Sequence, residues 1–422
     1  MKRELTLSII GLGYVGLPLL HLSTLKKINC YGFDIDRDKI KKLKKNTSYI
    51  SDLKNDEIKI INKKNLFSMN DISKIQNSDY IILCLPTPLT KNLKPDLSII
   101  KSAFNKIKHF LRENQTLILE STVYPGATNE LFFNFLNKKF SLGKNFYYGY
   151  SSERISPGQT DKKFFKYKLE NIQKVISGFE KQSLKKISII YKKIFQKLHY
   201  ANSIEVAEMS KLVENSYRSV NIGLVNELKV VCDKLKIDIH EVLDAAKTKP
   251  FGYVPFLPGP GVGGHCIPID PMFISYVSKK KNYNVKFIEL ARKINLNITN
   301  WILKKIFKLE SNKKTKNKVL IIGVAYKAEI NDTRDSPGLK IFESLIKKNY
   351  AVDYHDPYVK KIRIKNKTYY SKSIKKCSQY NFVVICTDHK CLPLDLIIDK
   401  SVKIYDTRGV FKNFRDPKII QC

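Results

Sequence analysis

Two stretches of the chain repeat one pattern, and that repetition confines the fold more tightly than any other feature. Residues 5–36, LTLSIIGLGYVGLPLLHLSTLKKINCYGFDID, read as a strand, a tight glycine turn, a helix and a second strand ending in acid. Residues 317–359, beginning NKVLIIGVAYKAEINDTRDSPGLKIF, repeat that order, with a second strand ending at Asp356. Further short apolar runs follow in each half: DYIILCLPTP and QTLILESTV in the first, YNFVVICTD and VKIYDTRG in the second. Apolar runs alternating with helical segments predict parallel sheets wound by right-handed crossovers. The expected fold is therefore α/β, with two Rossmann-like doubly wound parallel-sheet domains. Between them, residues 202–235 hold apolar positions three and four apart without a proline, which predicts one long central helix joining the two.

Length supports more than one core, since the chain has 422 residues and is 43% hydrophobic. The expected divisions are 1–200 for the first Rossmann domain, 201–310 for a central helical region and 311–422 for the second Rossmann-like domain. The boundary falls in the Lys- and Asn-rich stretch LESNKKTKNK, 309–318. The eight cysteines are scattered without a CxxC pair, which argues for reduced thiols in a cytoplasmic protein and against a zinc site or a disulfide ladder. The apolar N-terminus is broken by glycines and a proline, unlike a signal peptide, and no run reaches the roughly 18–20 residues of a membrane span. The formal charge of +37 is spread along the chain with Asn and Ile, so no specific nucleic-acid partner is expected. The field still favours anionic small molecules.

Gly11, Gly13 and Gly16 form GxGxxG between a strand and a helix, with Asp34 ending the next strand. In that context the motif is a dinucleotide fingerprint. Gly11 permits the turn, Gly13 lets a pyrophosphate approach, and Gly16 allows close helix–strand packing, while Asp34 binds a ribose and repels a 2′-phosphate. The expected cofactor is NAD. In the middle helix, Lys211 and Asn215 are four apart and share a face. In GPGVGGHCIPIDP, 259–271, glycines and prolines surround Cys266, just before a helix expected to start near Asp270 and Pro271, with Asp270 as its cap and Pro271 at its first position. A helix N-terminus depresses a thiol pKa and favours the nucleophilic thiolate. His265 is read as a shaper of that loop. In the second half GVAYK, 323–327, replaces the fingerprint, so this half is not expected to bind NAD.

From GLGYVGLPL through CLPTP, STVYPG, SSERISPG, EMSKLVENSYR, GPGVGGHCIPIDP and GVAYKAEINDTRDSP to DTRGVF, the chain resembles the UDP-glucose/GDP-mannose dehydrogenase family, in the family's order and over nearly its whole length. The resemblance implies a four-electron oxidation of a nucleotide sugar's C6 hydroxyl to a carboxylate with two NAD+. It makes Cys266 the nucleophile that holds the sugar as thiohemiacetal and thioester, and Lys211 and Asn215 the pair that stabilises charge on the C6 oxygen. Asp270, Thr122 and Glu153 correspond to positions that order water and move protons. The cofactor side would include Tyr14, Val15, Thr87, Thr122 and Arg334 besides the fingerprint. The substrate side would include Glu153, Arg154, Lys211, Asn215, Phe256, Gly263, Lys327 and Arg408. No metal is implied, and the long helix resembles the family's homodimer core.

Ile269 before Asp270 resembles the branch acting on UDP-N-acetylhexosamines, and CIPIDP is more similar to members oxidising UDP-N-acetylglucosamine or UDP-N-acetylgalactosamine than to those oxidising UDP-N-acetylmannosamine; the expected substrate is UDP-N-acetylglucosamine, a route to a uronic acid for surface polysaccharide. UDP-N-acetylgalactosamine, UDP-N-acetylmannosamine and UDP-glucose stand as alternatives. A two-electron dehydrogenase would share the first domain without needing Cys266, and a non-catalytic nucleotide-binding protein would form no NADH.

Overall fold

A computed structural model describes residues 4–50, 52–63, 66–67, 71–154, 169–310 and 317–422. Parts of two sequence features, the ISPG of SSERISPG and the middle of LESNKKTKNK, lie outside the described residues. Two units emerge: residues 1–214 with 272–283, and residues 215–271 with 284–422. The chain passes from the first to the second along one helix of 32 residues, Ile204–Leu235.

In the first unit the strands are β1 (Thr6–Ile10), β2 (Asn29–Phe33), β3 (Leu66–Phe67), β4 (Tyr80–Leu83), β5 (Thr116–Leu119), β6 (Tyr147–Ser151), β7 (Lys174–Gly178) and β8 (Leu198–Tyr200). They form one sheet in the order β3-β2-β1-β4-β5-β6-β7-β8. Every residue of β4 and β5 is buried, as expected for central strands covered on both faces. The sheet is not wholly parallel: β7 runs antiparallel to β6, and β8 follows β7. A short strand such as KVISG carries no mark of its direction, so the sequence left this reversal invisible. Leu7, Ile9, Leu17, Leu20, Ile82 and Ile118 anchor the core of this unit.

The second unit has β9 (Lys318–Ile322), β10 (Ala351–His355), β11 (Lys361–Ile364), β12 (Lys367–Tyr370), β13 (Phe382–Ile385), β14 (Ile404–Asp406) and β15 (Ile419–Gln421). Five of these form a parallel sheet, β10-β9-β13-β14-β15, while β11 and β12 pair as a separate antiparallel hairpin. Period-two alternation divides β9 between two cores: Val319 and Ile321 join one cluster, Leu320 and Ile322 the other. Helix Lys286–Glu310 contributes Ile298, Ile302 and Ile306 to the first of these clusters. Two Rossmann-like doubly wound units and a long helix are thus observed. Among the described residues no helix is long and apolar enough to cross a membrane.

Candidate active site

The first glycine turn leaves ligand-facing groups open. Gly11 has φ +94° and donates its N–H to Phe33 O at 2.8 Å; a Cβ there would lie 2.3 Å from Cys84 O, so only glycine fits. A Cβ on Gly16 would meet Gly11 O at 1.9 Å, whereas one on Gly13 would meet nothing within 4 Å. Tyr14 and Val15 complete the turn, and helix Gly16–Leu25 has neither a side-chain cap nor an acid in its first turn. Its first N–H groups are therefore available to an anion. Asp34 Oδ2 accepts from Leu12 N at 2.9 Å and from Lys39 Nζ at 3.2 Å. Thr87 Oγ1 donates to Thr122 O at 2.7 Å, linking the loops after β4 and β5. These features fit a dinucleotide pyrophosphate and ribose.

The second glycine turn satisfies itself. Helix Pro337–Lys347 is capped by Ser336, whose side chain accepts from Leu339 N, and begins with proline. Asp356, the counterpart of Asp34, accepts from Val324 N and Ala325 N through Oδ2 and from Tyr358 N and Val359 N through Oδ1. The side chain is buried against His389, leaving it unable to take a ribose.

Beyond β6, Glu153 pairs with Lys211 of the long helix at 3.3 Å, both side chains less than a tenth exposed. Burial raises the Glu153 pKa above the ordinary carboxylate value, and the Lys211 and Lys174 ammonium groups oppose that rise. Arg154 is held by Glu214 on the same helix and by Gln173 O. Sequence reasoning missed two buried groupings here. Glu120, just past β5, pairs with Lys174 and accepts from the Tyr191 hydroxyl. Glu208, one turn before Lys211, accepts from Gly126 N at 2.6 Å and from Thr128 N at 2.9 Å. No motif marks them; only the fold joins residues so far apart in sequence.

In the second unit the cysteine loop is clamped by two helices. Asn226 Oδ1 accepts from Gly259 N at 3.0 Å, and Thr299 Oγ1 donates to Pro260 O at 2.5 Å. Gly264 has φ +84° and donates to Arg334 O at 2.9 Å; a Cβ there would lie 2.6 Å from the Tyr326 ring. Gly263 has Asp335 O and the Tyr326 side chain equally close to where a Cβ would stand. Cys266, partly exposed, accepts through its carbonyl from Ile269 N at 3.1 Å and Asp270 N at 2.8 Å, so the turn at Cys266 leads straight into helix Asp270–Lys279. Asp270 is the first helical residue rather than its cap, and its carboxylate accepts from Asn215 Nδ2 at 2.5 Å. Burial, and then the Arg334 guanidinium, lower the His265 pKa below the ordinary imidazole value.

The remaining candidates of this unit are spread around its glycine turn and its β14 loop. Phe256 meets Tyr217 edge-on at 5.9 Å. Lys327 is half-buried in the turn after β9, and Arg334 is exposed and pairs with Asp332 at 2.6 Å. Arg408 donates from Nε to Cys386 O at 3.0 Å and would lie 2.8 Å from a Cβ on Gly259. The preceding carbonyl, Thr407 O, accepts at 3.0 Å from Lys229, a buried amine that desolvation lowers to about 8. Lys229 was not foreseen either. Within the first unit the fold brings together Thr87 with Thr122 and Glu153 with Lys211. Within the second it groups Cys266, Asp270 and Asn215, then Gly264 with Arg334 and Gly259 with Arg408.

Three successive segments match models of one family: its NAD binding domain over residues 5–195, its central domain over 205–297 and its UDP binding domain over 320–413. The chain belongs to the UDP-glucose/GDP-mannose dehydrogenase family. A UDP-N-acetyl-D-glucosamine 6-dehydrogenase of Salmonella typhi is 34% identical over 394 residues, 92% of this chain and 90% of that one. A UDP-N-acetyl-D-mannosamine dehydrogenase of Methanocaldococcus jannaschii is 34% identical over 357 residues, 83% of this chain and 79% of that one. Among solved structures, a UDP-D-ManNAc dehydrogenase from Pyrococcus horikoshii superposes with a TM-score of 0.85 at 27% identity, covering 98% of this chain and 97% of that one. As a member of the family this protein is an NAD-dependent UDP-sugar dehydrogenase, and the open glycine turn falls in the segment matched as NAD binding.

Proposed function

We propose that the protein oxidises C6 of UDP-N-acetylglucosamine to the uronate in two successive two-electron steps, each using one NAD+. NAD+ supplies the electron acceptor, with Gly11, Gly13, Tyr14, Val15, Gly16, Asp34, Thr87, Thr122 and Arg334 as its binding residues. Lys211 and Asn215 donate hydrogen bonds to the C6 oxygen as charge develops on it. The Cys266 thiolate adds to the C6 aldehyde, forming a C–S bond and a thiohemiacetal; oxidation gives a thioester, and water releases the acid and the thiol. Glu153, Thr122 and Asp270 order water and carry protons in these steps. Arg154, Phe256, Gly263, Lys327 and Arg408 complete the UDP-sugar contacts. The observation that carries this reading is the chain Cys266 O to Asp270 N and Asp270 carboxylate to Asn215, which ties the thiol's loop to the amide proposed for the C6 oxygen.

The hexosamine is supported by relatives acting on UDP-N-acetylglucosamine and UDP-N-acetylmannosamine, and a gluco or galacto rather than a manno sugar by the CIPIDP loop. We further propose the division 1–200, 201–310 and 311–422 as cofactor, helical and UDP-sugar parts, a homodimer through the long helix, and a cytoplasmic location, suited to eight cysteines scattered without a CxxC pair. Incubation with NAD+ and a panel of UDP-sugars, with product masses and NADH counted, tests the reaction. The expected result is the uronate of UDP-N-acetylglucosamine with two NADH per sugar, lost in Cys266→Ser while NAD and UDP-sugar binding persist. One NADH per sugar, or uronate formed by Cys266→Ser, would overturn the thioester route. Preferential turnover of the mannosamine substrate would replace the sugar.

A further inference from the structure

The reversal of β7 places a charge where an all-parallel sheet would have none. In open α/β sheets, ligands bind at the carboxyl ends of the parallel strands, and an antiparallel strand brings its amino end to that edge. Lys174 is the first residue of β7. The register pairs Tyr150 with Ser177 and Ser151 with Ile176, and Ser152 N donates to Val175 O at 3.3 Å. Continued by one residue, that register sets Glu153 opposite Lys174. On the other side, β5 and β6 pair Leu119 with Tyr150, so Glu120 comes level with Ser151. Three adjacent strand ends thus gather two carboxylates and an ammonium.

All of these groups are out of water. The Lys174 and Glu120 side chains are 3% and 1% exposed, and those of Lys211 and Glu153 are 7% and 8%. The Tyr191 hydroxyl donates to Glu120, and the Lys174 ammonium lies 5.7 Å from the Tyr191 ring and 5.3 Å from that of Phe195. The result is two buried groupings, Tyr191–Glu120–Lys174 and Glu153–Lys211, set side by side by the strand register. Buried ion pairs are costly to assemble and are weak evidence of stabilisation alone, so a second role is worth seeking.

We propose that Lys174, held in place by Glu120 and Tyr191, is a positioning residue that opposes protonation of Glu153 and keeps it aligned with Lys211 for proton transfer. The inference rests on the reading of Glu153 given above. Groups facing Glu153 are Lys211 from the long helix, Lys174 from β7, Glu120 from the end of β5 and the buried thiol of Cys84 after β4. Burial favours the neutral Glu153 acid and Glu120 adds to that, while the Lys211 and Lys174 ammonium groups oppose it.

The test is the pH dependence of kcat for NADH formation from about pH 5 to about pH 9. Removing a nearby positive charge disfavours a carboxylate, so Lys174→Met should move the acid limb to higher pH and lower kcat near neutrality on the order of tenfold. Lys174→Arg should hold the limb close to its original position. Because Lys174→Met leaves Glu120 buried without its partner, the double variant Lys174→Met/Glu120→Gln removes both charges; its limb should move in the same direction by less. A purely structural role would lower kcat at every pH without moving the limb. A limb absent in Glu153→Gln yet unmoved in both lysine-to-methionine variants overturns the role of Lys174 alone. A limb that survives in Glu153→Gln overturns the reading of Glu153, and this inference with it.

Discussion

Asp34 carries two duties at the residue scale. Its carboxylate steadies the glycine turn through Leu12 N and also holds Lys39, an ion pair 3.2 Å long that the fingerprint did not announce. In Asp34→Asn the amide oxygen can still accept from Leu12 N, but the charge proposed to bind a ribose and repel a 2′-phosphate is gone. Lys39, released, becomes a partner for that phosphate. The expected outcome is a KM for NAD+ raised by about tenfold and a narrowed preference over NADP+. Steady-state kinetics with both cofactors would refute the role by returning an unaltered ratio. The first glycine turn with Asp34 and the glycine- and proline-rich Cys266 loop were legible as structure because each sits in a local pattern with a backbone reason for its residue types. Glu120, Lys174, Glu208 and Lys229 were not, because a charged residue in a chain with 76 lysines and arginines carries no mark of burial.

At the scale of elements, Glu208 fastens helix Ala127–Lys139 to the long helix. It accepts from Gly126 N, Thr128 N and Thr128 Oγ1, satisfying donors that the helix start would otherwise leave unpaired. Burial raises its pKa from 4.5 to about 7. An acid whose pKa is higher folded than unfolded binds more protons in the fold. Its contribution is complete below 4.5 and is lost as pH rises through about 7, a change on the order of 3 kcal/mol. Glu208→Gln should flatten that part of the stability profile. Melting temperatures at about pH 5 and about pH 8 give the comparison, and parallel profiles for parent and variant would reject the assignment.

At the scale of the whole molecule, the long helix presents Val206, Val213, Tyr217, Leu224, Leu228, Val231 and Leu235, each between 40% and 63% exposed. Their spacings of three, four and seven make one stripe along the helix, the pattern of a surface that a partner helix covers. Under the proposed dimer, sedimentation should give twice the chain mass for the parent and the single-chain mass for Leu224→Glu/Leu228→Glu. A monomeric parent at micromolar concentration would end that proposal. The order of amino acids was enough for the two strand–turn–helix–strand halves, the long helix and the open first glycine turn, because periodicity and glycine placement are local and act wherever the chain goes. Tertiary structure alone decided the direction of β7 and the partners of the buried charges. Alternating apolar residues record which face is covered, not which way a strand runs, and Glu120 meets Lys174 only when segments 54 positions apart are folded side by side.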